Sequence, residues 1–182
     1  LAWMDVRAPY WSDPQCNNRV HIWWHKALFH IELGQHEVAL ALYDGEILSA
    51  MRPIGTQLCN ATSLLWRLET LGCEAGERWP RQLALWQQQL NGMSSPFNEI
   101  HAAMAALRAG HRAVFDTVLD GMRRAAAADS ELVPAYRDVA IPVAQAMACF
   151  VDADYAGAVN GLLGVQAELW RMGGSVAQRD LV

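Results

Sequence analysis

Three of the six histidines fall in one stretch, NNRVHIWWHKALFHIELG, residues 17–34. His21 and His25 are four positions apart, so a helix through them puts both imidazoles on one face, where they could share a metal ion or pass a proton. Glu32 lies within about 40° of them on a helical wheel, and Trp24 and Leu28 flank the stripe. The zinc-hydrolase arrangement nevertheless fails: Ile22 stands where HExxH needs its Glu, and Glu32 sits about 10 Å of helix rise beyond His25. Asn98 and His101 share a second helix face. Ser175 has no His or Asp at motif spacing and reads as a cap, and Gly173-Gly174-Ser175 lacks the strand and Lys of a phosphate loop. No catalytic residue, no metal ligand set and no cofactor is expected.

The elements that must hold these side chains are helices. Asn18 is placed to cap a helix over 19–33 that Gly34 ends, and a second helical pattern runs 37–48, making a hairpin. The same terminator recurs: ELGQH at Gly34, TLGCE at Gly72 and RAGHR at Gly110 are 38 residues apart each time, and VDADY follows 43 residues later with Ala153 in the Gly place. Second helical runs follow each one, over 37–48, 77–91, 112–128 and 155–172. A helix terminator at constant spacing is the mark of a repeated helix-turn-helix unit. The fold expected is all-α, a right-handed α-α superhelix or solenoid forming a single repeat domain over 1–182. Its hairpins span about 18–50, 55–92, 96–128 and 135–172.

Loop chemistry agrees with this division. Ser95-Pro96 opens the third unit, and 129–142, with Pro134 and Pro142, is the irregular connector that lengthens the fourth interval. Residues 1–16 show no period, although Asp13-Pro14 could start a helix. Ser175-x-x-Gln178 reads as a capping box opening a helix over 175–182, so the chain is expected to be a fragment of a longer array. Arg179 in that helix is expected to pair with a carboxylate of the previous repeat.

Within the first hairpin, Trp23, Ala27, Gly34, Ala39 and Tyr43 are similar to the tetratricopeptide signature, with small residues where helices approach. Four further strings extend the likeness along the chain. Asn17-Asn18-x-x-His21-x-Trp23-Trp24-His25-x-Ala27-Leu28, Ser63 to Glu69 (SLLWRLE), Pro96-Phe97-Asn98-x-x-His101 and Gly173-Gly174-Ser175-x-Ala177-Gln178-Arg179-Asp180 together resemble the tetratricopeptide repeat protein 38 family, with Glu99 and Val176 as local departures. The resemblance implies a larger helical-repeat protein, of which this is the C-terminal half, and places His21, Trp24, Leu28 and Glu32 on the concave side. It implies no established chemistry.

Composition narrows the partners. With 53% hydrophobic and 18% charged residues, a formal charge of −5 and no run of cations longer than Arg123-Arg124, the chain offers little to nucleic acid or to an anionic membrane. No apolar run is long enough to span a bilayer. Cys16, Cys59, Cys73 and Cys149 have no ligand-like spacing and read as reduced, mostly buried thiols of a cytoplasmic protein. Trp79, Trp86 and Trp170 read as packing residues.

The expected function is a scaffold that holds a protein or peptide in its concave groove. The groove is assigned to His21, Trp24, His25, Leu28, Glu32, Trp66, Glu69, Phe97, Asn98, His101 and Met104. Self-association through the exposed repeat ends is a further expectation. Two other readings stand beside it. In one the stripe is structural, its histidines donating to carbonyls and its Trp rings filling space. In the other the chain is an enzyme or small-molecule-binding protein that uses His21, His25 and His101 as acid, base or metal groups.

Overall fold

The computed structural model describes residues 1–93 and 95–180, which contain helices and turns and no strand. Contacts divide the chain into two compact units, Leu1–Arg78 and Trp79–Val182. The first holds α1 (Ala2–Trp11), α2 (Arg19–Glu32), α3 (His36–Leu42), a one-turn α4 (Leu48–Ala50) and α5 (Gly55–Thr70). A π-helical turn, Tyr43–Ile47, joins α3 to α4, so the second arm of the hairpin is continuous. After α6 (Arg78–Gln87), which begins at the boundary, the second unit holds α7 (Pro96–Arg108), α8 (Arg112–Ala126), a one-turn α9 (Val133–Ala135), α10 (Ile141–Val151), α11 (Tyr155–Leu163) and α12 (Val176–Arg179).

Four helices end in one hydrogen-bond pattern. In α2, Gly34 N–H donates to Ile31 O (2.8 Å) and Gln35 N–H to His30 O (2.8 Å). Gly72 and Cys73 repeat this on Glu69 and Leu68, Gly110 and His111 on Leu107 and Ala106, and Ala153 and Asp154 on Phe150 and Cys149. This is the Schellman closure, in which a left-handed residue lets its own amide and the next one satisfy carbonyls that the helix leaves open. The backbone φ values are +68°, +87°, +74° and, at Ala153, +61°. The recurrence read from Gly34, Gly72, Gly110 and Ala153 is therefore a recurrence of geometry.

Ala153 adopts without glycine's freedom what the other three adopt freely, and its Cβ crowds the neighbouring carbonyl. Ala153→Gly is expected to raise stability by about 0.5–1 kcal/mol, the relieved strain exceeding the added freedom of the unfolded chain. Gly110→Ala should move it the opposite way. Paired urea titrations of the two variants check the signs.

In the first unit, Ala27, Ala39, Tyr43, Ile47, Leu58, Leu64, Leu65 and Leu68 are fully buried between α2, α3 and α5. α1 lies on α2 through Trp11, whose ring meets Trp23 edge-on at 6.2 Å, and through Asp5, which pairs with Lys26 Nζ at 2.6 Å. That ammonium holds the Asp5 carboxyl below the usual carboxylate range. In the second unit, α7 carries Ala102, Ala103, Ala105 and Ala106, all buried, so its neighbours approach closely. Where α10 crosses α11, a Cβ added at Gly161 would lie 3.0 Å from that of Ala146, so this crossing also depends on small residues.

Several local expectations need correction. Residues 2–11 are helical despite their lack of period, and Pro9 is carried inside α1. Asp13-Pro14 starts no helix; Asp13 Oδ1 accepts from Gln15 N–H (2.7 Å) and makes a turn. Asn18 and Ser95 precede helices as expected, but neither side chain caps. Instead of a connector over 129–142, helix begins at Val133 and continues through a π-helical turn, Tyr136–Ala140, into α10. The wide turn lies just before Pro142, which has no N–H to give an ordinary helical bond.

The run expected over 155–172 breaks after Leu163 into a 3₁₀ helix, Gln166–Met172, and its three-residue period turns Trp170 outward, to 62% exposure. The Ser175–Gln178 capping box forms. Of the helix expected over 175–182, Val176–Arg179 is seen, and Leu181 and Val182 lie outside the described residues. Arg179 gives its guanidinium to the carbonyls of Gly173 and Gly174.

Candidate functional site

α2 and α5 lie side by side, and the polar residues of the α2 stripe are met there by Asn60 and Ser63, three apart on α5. Asn60 Nδ2 donates to His21 Nδ1 (3.1 Å), which leaves His21 carrying its proton on Nε2. That proton is donated in turn to His25 Nε2, also at 3.1 Å. Asn60, His21 and His25 therefore form one continuous hydrogen-bonded chain. Burial, with the neighbouring His21, pushes the His25 imidazole below its ordinary value. Trp24 Nε1–H donates to Ser63 Oγ (3.0 Å), which donates to Asn60 O (3.0 Å).

This corrects part of the groove assignment. Trp24 is fully buried, with His21 stacked on it at 5.5 Å and the Arg67 guanidinium 5.8 Å from its ring, so it has no surface to offer a partner. Trp66 is buried on α5. His21, His25, Leu28 and Glu69 are half-buried, and Glu32 is exposed. Among the described residues no three His, Cys, Asp or Glu side chains are grouped as a metal site.

In the second unit, α7 is covered nearly all round. Phe97, His101 and Met104 are buried, and Asn98 alone of that set is half-exposed. His101 Nδ1–H donates to Phe97 O one turn back (2.7 Å), with the two rings 4.4 Å apart. These three residues hold α7 in place and do not line an open groove.

A cavity of about 460 Å³, with no counterpart among the residues expected to form a site, lies in this unit between α7, α8, residues 90–93 and the segment from 128 to 136. Its polar wall is Glu99 (5% exposed) and Tyr136 (2% exposed), and Arg124 also lines it from an exposed position. The Tyr136 hydroxyl and the Glu99 carboxyl approach each other, but neither that hydroxyl nor Glu99 Oε2 completes a hydrogen bond of ordinary geometry among the described residues. Burial pushes the Glu99 carboxyl above the ordinary carboxylate range, offset in part by the approach of the phenol. Burial, then hydrogen bonding to Glu99 and the charge of that carboxylate, push the phenol up as well.

No protein-family model matches the chain, and no solved structure matches it.

Glu99 stands next to Asn98 in sequence but about 100° away on the helix, and so faces α8. One signal was visible beforehand: a carboxylate inside the Ala-rich run of an apolar helix needs a partner or a cavity. Gly121 on α8 was the other half of that signal, a residue without a side chain opposite that carboxylate.

Proposed function

We propose that the chain is a divergent tetratricopeptide-like array, similar to the tetratricopeptide repeat protein 38 family, whose hairpins form a right-handed superhelix that binds a protein or peptide on its concave side. The observation that supports this is the identical closure at Gly34, Gly72, Gly110 and Ala153, each followed by a second helix. Stacked hairpins of this kind present the first helix of each pair to the inside. On α2 that leaves the half-buried His21, His25 and Leu28 and the exposed Glu32 as the contact face, with Trp24 beneath it as support.

The buried thiol of Cys59, pushed well up by its surroundings, suits an inert packing role in a cytoplasmic protein. Among the described residues no helix is long and apolar enough to cross a membrane. Neither nucleic acid nor a membrane surface is an expected partner. The exposed Trp3, Val6 and Tyr10 on α1 support self-association as a second mode.

The test is a peptide-display selection on the intact chain. Selected peptides should bind Leu28→Glu/Glu32→Arg at least about tenfold more weakly, with the melting temperature unchanged. A substitution at the exposed Ala41 on α3 should leave binding intact. Peptides that bind the double variant as well as they bind the parent would remove this face from the proposal.

A further inference from the structure

The cavity beside Glu99 is lined by residues of the second unit alone. We propose that it binds a free α-amino acid with an apolar side chain, its ammonium taken by Glu99, its carboxylate by Arg124, and its side chain laid against Leu90, Met93, Val118 and Leu132.

Gly121 gives the geometric reason. The point where a Cβ on that residue would sit lies 3.7 Å from Glu99 Oε1 and 3.8 Å from Arg124 Nη2. A carboxylate and a guanidinium thus flank one small empty volume, and no side chain fills it. The two charges form no ion pair with each other among the described residues, so each has capacity for a ligand atom. In an α-amino acid the ammonium and carboxylate are separated by only two bonds through Cα, which suits two opposite charges held around one point. A longer ω-amino acid would overshoot, and a chain terminus supplies one charge only.

Glu99 is 5% exposed, and the phenol of Tyr136 that it approaches brings no positive charge, an arrangement that costs stability unless the carboxyl is neutralised or met by a cation. The Tyr136 hydroxyl, also buried, lines the same cavity and approaches the Glu99 carboxyl without completing a hydrogen bond of ordinary geometry, which leaves it able to turn to the same ligand. A volume of about 460 Å³ falls in the range of small-ligand sites. The apolar lining residues select an aliphatic side chain over a charged one.

The experiment titrates L-leucine into the intact chain by NMR or calorimetry, beside 4-methylpentanoate, which lacks the ammonium, and 3-methylbutylamine, which lacks the carboxylate. L-Leucine should bind saturably, and each single-charge analogue at least about tenfold more weakly. Gly121→Ala adds one methyl between the two charges at ordinary contact distances, so it should fold normally and lose binding at least about tenfold. Glu99→Gln should do the same. Gly121→Ala keeps the test decisive if Glu99→Gln fails to fold. Absence of saturable L-leucine binding overturns the proposal, as does equal binding by Gly121→Ala or by either analogue; Glu99 is then a protonated acid sealed beside Tyr136. Loss of leucine binding in Gly121→Ala with peptide capture on α2 unchanged would separate this site from the scaffold function.

Discussion

Trp24→Ala is expected to cost about 3–5 kcal/mol, enough to leave the first unit unfolded or nearly so. The indole is fully buried, and its removal opens a void between α2 and α5 that the stacked His21 ring and Arg67 cannot fill. It also takes the donor from Ser63, leaving a buried hydroxyl with one partner fewer. Trp24→Phe separates the two contributions: it keeps most of the packing and loses the hydrogen bond, for a smaller cost of about 1–2 kcal/mol. Equilibrium urea unfolding of both variants is the measurement. A Trp24→Ala protein within about 0.5 kcal/mol of the parent would mean that the ring is exposed and available to a partner after all.

Met104→Asp is the second severe case. Met104 is fully buried in the Ala-rich middle of α7, where a carboxylate would meet no cation and no space. The expected loss is about 4–5 kcal/mol, seen as insoluble expression or as loss of the cooperative transition by circular dichroism. Asn98→Asp, half-exposed on the same helix, is the control and should melt close to the parent. If Met104→Asp also melted close to the parent, α7 would have an open face where the structure closes it.

What the sequence disclosed and what it hid have a common physical cause. The four helix ends were legible because a Schellman closure is local: a left-handed residue and the amides on either side of it determine it, and Gly is a clear sign of such a residue. Even Ala153 was found, from position rather than type. The helical faces were legible for the same reason, since a 3.6-residue period needs only neighbours in sequence. Which face is covered is not local. The wheel put Trp24, His21 and Glu32 near one another on α2, but only the arrival of α5 shows that Trp24 is sealed and Glu32 is not. Similarly, the buried state of Phe97, His101 and Met104 depends on elements far along the chain.

Prolines misled in a specific way. Pro134 and Pro142 read as breakers, yet the first sits where a helix tolerates its missing donor and the second follows a turn already widened to the π spacing. The Glu99 cavity went unseen because it needs three partners, Glu99, Gly121 and Tyr136, that no periodicity joins.

The locality of the four closures also bears on how the chain reaches its structure. Each one is complete within six consecutive residues, so it can form before any distant segment has arrived, and each brings together two helices that are already adjacent in sequence. Ordering such a hairpin closes only a short loop, and the entropy lost in doing so is correspondingly small. A chain built this way has several equivalent places at which to begin folding, and the one whose closure rests on Ala153 starts with a handicap the other three do not share.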